Sequence, residues 1–495
     1  MRTVLFLLLL PARASAQEAS PYLPLSHWAV PFVEHLIAAG RMADPSPLSR
    51  PFRVDQIVRA LEAVDSTVVT GAEWSVVRRI RADLTRQMRG PSARIELHAG
   101  IAGASHARRD PLREAGVGHA TLSGGADLTF YFGPAVVVTH PYFDTRLKWD
   151  PDYGGKKDRF LAGRAAEAYV SAQWRFGELL FGRLDRNWGP RFTEGLLVSP
   201  SPYSYDLLDV RIGTDGIYFE GLVTQLDDLP DSAGAANSRH MVTHRLVIRP
   251  PGSTTFALWE GTLISGPSRE LEPWFANIFT LGILQQYDQN SDANNLLGLD
   301  VTTRIKGTQL FGSVLIDDIQ VDNSSASDQE PPSYGLTLGA QGGIGRVAWT
   351  AFYTQIANLT YRTSNAPETW MRQNVGLARN FADYDQLTVR ASVVPRRSAL
   401  LEPEITLLRQ GEGDFRLPYP PVAQFDSTPT LFVGVVERTV RLAIAGRAAH
   451  GRWVLSGDGG VHLIDNYQHA SGASKTKWVG RIALEWRTKK EGRIP

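Results

Sequence analysis

From Ala93 to the C-terminus, apolar side chains recur at every second position. In HATLSGGADLTFYF the even positions are Ala120, Leu122, Gly124, Ala126, Leu128, Phe130 and Phe132, and the odd ones include Thr121, Ser123, Asp127 and Thr129. RAAEAYVSAQWRF sets Ala166, Ala168, Val170, Ala172, Trp174 and Phe176 against Glu167, Tyr169, Ser171, Gln173 and Arg175. QLTVRASV and the final KWVGRIALEW alternate in the same way. A period of two predicts strands with one apolar and one polar face, roughly 18 of them along the chain.

Residues 20–92 follow a different period. Trp28, Phe32, Leu36 and Ala39 recur at helical spacing, with Ser26 as the expected N-cap and Gly40 as the stop. Val54, Ile57, Val58 and Leu61 form a second stripe, and Trp74, Val77, Ile80 and Leu84 a third. Three short amphipathic helices packed as a small bundle are expected, ended by Gly90-Pro91-Ser92.

Alternation alone does not say whether the apolar face meets a protein core or lipid. A secreted β-sandwich or propeller alternates too. Segments of ten or more residues are long for soluble strands, which average five or six. In the last strand Trp478 and Trp486 share the apolar face, with Gly480, Ile482 and Leu484 between them and Arg481, Glu485 and Arg487 opposite. At about 3.3 Å per residue and a tilt near 40° the two indoles stand roughly 20 Å apart in height, close to that of a lipid-facing band with aromatic girdles. The opposite register would put Arg481 at mid-bilayer, at a cost of about 2 to 4 kcal/mol. Strands in hydrocarbon must also close on themselves to pair every edge.

The N-terminus agrees with export. Arg2, the run Val4 to Leu10 and the small residues Ala14-Ser15-Ala16 have the form of a secretory signal peptide, cleaved before Gln17. The run is too short for a spanning helix, and no later stretch approaches the roughly 18 apolar residues that one needs. The 495 residues contain no cysteine, which excludes disulfides, thiolate metal sites and a cysteine nucleophile, and the net charge of +1 gives no pull toward nucleic acid. The expected organisation is thus a signal peptide at 1–16, a periplasmic helical bundle or plug at 17–92 and, at 93–495, a large antiparallel transmembrane β-barrel in the outer membrane, its outer face against lipid.

One turn-rich stretch interrupts the strands: GRLDRNWGPRFTEGLLVSPSPYSYDLL, which crowds Arg183, Asp185, Arg186, Trp188 and Arg191 together. It admits two readings. In the first it is a salt-bridge and hydrogen-bond network pinning a plug inside the barrel. In the second Trp188 stacks on a sugar ring while the arginines hold uronate carboxylates.

Other candidates are weaker. Asp317 and Asp318 are adjacent on a strand and point to opposite faces, so a rim turn is expected in place of a catalytic or metal pair. His27 and His35 have no acidic third ligand in register. Gly339 to Gly345 (GAQGGIG) is expected to be a hairpin turn. No nucleophile elbow, phosphate loop or catalytic triad is present, so neither an enzyme nor a cofactor or metal is expected. The inserts DDLPDSAGAANS, DQNSDANN and DNSSASDQEPPS have the composition of exposed extracellular loops.

The stretch FGRLDRNWGPRFTEGLLVSPSPYSYDLL resembles the hallmark segment of the capsule assembly protein Wzi family, as do ELEPWFANIF, DANNLLGLDVTTRIKGTQLFGSVLIDDIQVD and LLRQGEGDF. The resemblance implies an 18-stranded outer-membrane barrel, a periplasmic bundle that helps close the lumen, and lectin-like retention of capsular polysaccharide or exopolysaccharide at the cell surface. Ser199-Pro200-Ser201-Pro202 departs from the Ser-Asp-Asn-like turn expected there. The chain also continues past Trp486 with TKKEGRIP, so the barrel assembly machinery is expected to recognise an internal strand. The alternative is a sugar porin tethered to peptidoglycan, because SHWAVPFVEHLIAAGRM also resembles an S-layer-homology repeat.

Overall fold

A computed structural model describes residues 18–231, 233–291, 293–318 and 330–494. The signal peptide and most of the DNSSASDQEPPS insert lie outside the described residues. The barrel strands are β1 (Ser92–Ala104), β2 (Ala120–Phe132), β3 (Ala135–Asp144), β4 (Ala162–Trp174), β5 (Gly177–Leu184), β6 (Tyr205–Gly213), β7 (Ile217–Gln225), β8 (Ala236–Ile248) and β9 (Thr255–Gly266). They continue with β10 (Asn294–Ile305), β11 (Thr308–Asp318), β12 (Ser333–Ile344), β13 (Val347–Ile356), β14 (Tyr384–Val393), β15 (Ala399–Gln410), β16 (Glu437–His450), β17 (Trp453–Asp465) and β18 (Ser474–Arg493). Each pairs antiparallel with its neighbour in sequence, and β1 pairs with β18 from Ser92↔Arg493 to Ala104↔Arg481, which closes an 18-strand barrel. No edge is left open, as hydrocarbon demands. The tail after Trp486 is therefore strand, not an overhang.

The alternation sets the register as expected. Leu122, Phe132, Val170, Trp174, Leu387, Val389, Trp478 and Ile482 are exposed on the outer wall, while Tyr131, Glu167, Tyr169, Ser171, Gln173 and Thr388 are buried on the inner one. Trp453 sits opposite Trp486 near one end of the belt, where connections such as Gly133-Pro134 and Gly451-Arg452 are two residues long. Long connections, among them those from Asp144 to Ala162 and from Ile356 to Tyr384, all leave the other end. This asymmetry is that of outer-membrane barrels, whose periplasmic turns are the short ones.

Among the described residues three helices precede the barrel: α1 (Val30–Ala38), α2 (Val54–Glu62) and α3 (Gly71–Leu84). Phe32, Leu36, Ile57, Leu61, Val77 and Ile80 form their common core, which extends onto Leu400, Ala449 and Val454 at the short-turn end of the barrel. The N-cap of α1 is Ala29, which makes no side-chain cap bond, so Ser26 does not cap it. Pro31 at the helix start supplies the fixed φ instead. In α3, Thr70 and Glu73 form a reciprocal capping box, and Glu73 also meets His35, whose other ring nitrogen lies 2.8 Å from Ser392 in β14. His35 thus ties the bundle to the barrel wall.

Two expectations about turns are corrected. Most of GAQGGIG lies within β12, and only Gly345-Arg346 forms the hairpin. A Cβ at Gly343 would come within 2.6 Å of the Ala39 carbonyl oxygen, and one at Gly339 within 2.7 Å of the Phe192 ring. These glycines let the end of α1 and the ring of Phe192, in the connection between β5 and β6, lie directly against the wall. Asp317 and Asp318 close strand β11 at a bulge, and the Asp317 carboxylate accepts from the Tyr361 backbone N–H at 2.6 Å. The side chain of Asp318 lies outside the described residues.

Candidate functional site: a plugged lumen

The inner wall is not uniformly charged. Leu180, Leu222, Met241, Leu263, Leu296 and Leu315 point inward and are buried, so several strands between β5 and β11 carry an apolar patch among the polar residues of their inner face. These apolar patches need an apolar partner inside the barrel, and two long connections supply it. Residues 185–204, after β5, fold into the lumen, where the backbone of Asn187-Trp188 pairs with Ser49-Arg50 from the N-terminal region. The Gly189 N–H donates to the Leu48 carbonyl at 2.9 Å. Residues 357–383, after β13, lie beside them. Trp370 donates from its indole N–H to the Leu197 carbonyl at 2.9 Å, the Tyr361 hydroxyl donates to Leu196 at 2.8 Å, and the Ser199 N–H donates to Leu377 at 3.0 Å.

The crowded residues of the opening stretch separate into different surroundings. Trp188 is 3 % exposed within this core, with the Arg245 guanidinium 4.9 Å from its ring centroid. Arg186 is buried, paired with Asp209 at 2.5 Å and lying over the Tyr22 ring at 4.3 Å. Arg183 is on the outer side at the long-loop rim, paired with Asp206 at 2.6 Å. Asp185 and Arg191 both line an internal cavity. Thus Arg186 and Trp188 meet in the plug, Asp185 and Arg191 face the cavity, and Arg183 is separate from both.

Several partners were not anticipated from sequence. Asn187 stitches the Trp-Gly-Pro turn, donating from Nδ2 to the carbonyls of Pro190 (3.0 Å) and Thr193 (3.1 Å) and accepting from the Gly195 N–H (2.8 Å). Arg245, on β8, donates to the Leu48 carbonyl at 2.7 Å and to the Ser49 hydroxyl at 2.8 Å, clamping the N-terminal arm. Arg50 on that arm pairs with Glu34 (2.7 Å) and Asp44 (2.8 Å) and is 1 % exposed. The adjacent Asn-Trp-Gly-Pro run marked the turn, but nothing local marked Arg245.

The cavity, about 530 Å³, runs beside the plug from His27, Trp28 and Pro31 on the bundle to Arg109, Arg146 and Tyr203 toward the long-loop end. Its wall belongs to β1–β4 and β15–β18, where the inner faces are polar. Some of its charges are satisfied: Arg146 holds Asp144 and Asp150, Arg487 holds Glu96, and Arg109 and Arg164 cover the Tyr203 ring. Arg191, Arg447 and Arg481 make no ion pair within 4.0 Å among the described residues, and all three retain solvent-accessible surface. Planar guanidinium groups left unpaired beside a cavity are suited to bidentate capture of carboxylate or phosphate. Among the described residues no group of His, Asp and Glu is arranged to hold a metal ion.

The sequence matches no family model and no curated protein. By structure, the chain is similar along its whole length to Wzi of Escherichia coli, an outer-membrane protein involved in group 1 capsule assembly and described as a carbohydrate-binding β-barrel. The TM-score is 0.62 with 12 % identity, covering 97 % of this chain and 100 % of that one. OprD and OpdK of Pseudomonas aeruginosa align with TM-scores of 0.46 and 0.47, at 8 % and 11 % identity, over 81 % of this chain and 97 % and 100 % of theirs. The fold is that of an outer-membrane β-barrel, and its likeness to Wzi extends over the N-terminal region as well as the strands.

Proposed function

We propose that this protein retains capsular polysaccharide or exopolysaccharide at the cell surface in a lectin-like manner, as an accessory of capsule assembly and not as an enzyme. The observation that carries this reading is the filled lumen: two inward-folded connections, the arm at Leu48–Arg50 and the bundle occupy the space that a sugar porin must leave open. The carbohydrate-binding description of Wzi, whose fold it shares, supports the same reading.

In this account residues 17–92 form a periplasmic bundle whose arm at Leu48–Arg50 joins the plug built by residues 185–204 and 357–383, and residues 93–495 supply the barrel and those connections. Arg186 and Trp188 serve the plug network. Asp185 and Arg191 belong to the internal cavity, and Arg183 with Asp206 belongs to the surface at the long-loop rim. Acidic sugars are the matching ligand class, since the unpaired cavity cations are arginines.

The test is binding of purified, detergent-solubilised protein to immobilised uronate-containing polysaccharide. Retention by the wild type, reduced at least about tenfold in an Arg191→Gln, Arg447→Gln, Arg481→Gln variant, is expected, one lost charge-assisted contact being worth about 1.5 kcal/mol or more. No retention of any acidic or neutral polysaccharide would remove the proposal. The porin reading is favoured by one feature, the cavity beside the plug, and conductance separates the two.

A further inference from the structure

The outer wall breaks its own rule on one sector. Beginning at the short-turn end, the outward positions of β8 and β9 are Ile248 with Phe256, then Leu246 with Leu258, all apolar. The next outward pair is His244 with Glu260, followed by Val242 with Thr262. Their neighbours Arg239 and Arg245 point inward to the plug, which fixes the outward direction of the even positions. His244 and Glu260 therefore stand only about 10 Å above the short-turn edge of a belt that is about 25 Å tall. Ionisable groups at that height would face hydrocarbon.

They do not, because residues 267–291 double back over the outside of the barrel. Phe275 is fully buried against Val242 and Ile264, Ile278 fills the space over Gly221, and the Phe279 ring meets outward Phe219 with centroids 5.2 Å apart. A short helix, α4 (Gly282–Gln289), continues the strap. The Gly282 N–H donates to Glu260 Oε1 at 2.6 Å, the same oxygen lies 2.7 Å from His244 Nδ1, and Asn295 of β10 bridges Gln286 to Thr262. Glu260 is left 1 % exposed. Away from these contacts Leu281, Leu284 and Tyr287 are exposed by 48, 57 and 80 %, and Phe279 keeps 61 % exposure beside Phe219.

We propose that this strap is a membrane-docking element: it seals the His244–Glu260 pair and presents Phe279, Leu281, Leu284 and Tyr287 to the acyl chains of outer-leaflet lipid. The occupant follows from continuity, since the strap's exposed apolar side stands on the lipid belt directly beyond Leu246 and Leu258 and replaces the belt residues that β8 and β9 lack. A connection from the extracellular end thus supplies hydrocarbon-facing surface. Its composition, with Trp274, Phe279 and Tyr287 beside aliphatic residues, is that of the membrane interface.

The absence of cysteine makes the test direct. Full-length Leu284→Cys and Tyr287→Cys variants, labelled with an environment-sensitive fluorophore, are reconstituted in phosphatidylcholine vesicles with or without nitroxide-bearing acyl chains. Leu258→Cys serves as the lipid-facing control and Lys156→Cys as the water-facing one. Nitroxide quenching at positions 284 and 287 within about twofold of that at 258, with iodide quenching at most about a fifth of that at 156, is expected. Iodide quenching equal to that at 156 without nitroxide quenching would overturn the proposal. So would label-to-label contact between copies with no nitroxide quenching, which would make the occupant a second copy of the chain. Quenching of the Leu258→Cys control by nitroxide shows that the barrel itself has inserted, so failure of the strap is distinguishable from failure of the barrel.

Discussion

Trp370→Ala isolates the plug from the barrel. The indole is fully buried between the Leu197 segment and Gly261 of β9, where a Cβ on the glycine would come within 2.5 Å of the ring. It belongs to the connection 357–383 and to no barrel strand, so its removal leaves every wall ladder intact. Truncation of a buried tryptophan costs about 3 to 5 kcal/mol, including the cavity left behind. It also strands the Leu197 carbonyl, whose partner is the indole N–H. At 1.4 kcal/mol per tenfold, the docked-to-undocked ratio of the plug falls by about a hundredfold to a few thousandfold. The assay is limited trypsinolysis in detergent, read at Arg379, which is 5 % exposed and contacts Thr193 in the folded plug. Wild type should resist cleavage there, and the variant should be cut at a rate raised in proportion to the undocked fraction. Both should keep the heat-modifiable migration of a closed barrel. Equal resistance in the two proteins would show that Trp370 does not hold the plug, and loss of the barrel migration would mean that plug and wall fold as one unit.

Arg50→Ala should loosen the N-terminal bundle by about 3 kcal/mol, because it strands Glu34 and Asp44 beside each other; proteolysis within residues 20–90 with an intact barrel band checks this. The Glu73 carboxyl offers a pH signature. Burial pushes it up, but the bonds from His35 and from the Thr70 N–H prevail and hold it at about 2, below its ordinary value of 4.5. Its contribution to bundle stability is therefore complete above about pH 4.5 and is lost as pH falls toward 2, so protease resistance of the wild-type bundle should decline over that window while Glu73→Gln, already weakened, changes less. The Arg191, Arg447 and Arg481 glutamine variant should bind uronate-rich polysaccharide at least about tenfold less tightly while keeping wild-type trypsin resistance at Arg379, since none of the three holds the plug.

The wall was legible because each strand states its own orientation: a period of two with Leu122 and Phe132 on one side and Asp127 and Thr129 on the other needs no partner to be read. The bundle was legible from its stripes, though the expected cap at Ser26 failed, because Pro31 set the start of α1 without a side-chain bond. What the plug does to the inner wall was not legible. Leu180, Leu222 and Met241 occupy inward positions, and local alternation cannot distinguish a face that meets water from one that meets a loop returning from far along the chain. For the same reason Trp188 could be read either as a sugar platform or as core; its burial depends on Leu48, Val198 and Arg245, none of which its own neighbourhood announces. The strap was hidden most completely. LGILQQYDQ is too short for helical periodicity to stand out, and only the outward His244 and Glu260, breaks in an apolar face, signalled that something covers them.

The chain itself fills the lumen save for the cavity beside the plug, leaving no open channel for sugar. Planar-bilayer recording of the purified full-length protein decides the matter: insertion without a steady ion current is predicted, with current appearing in Trp370→Ala. A large, stable conductance in the wild type would contradict the account and favour a sugar porin.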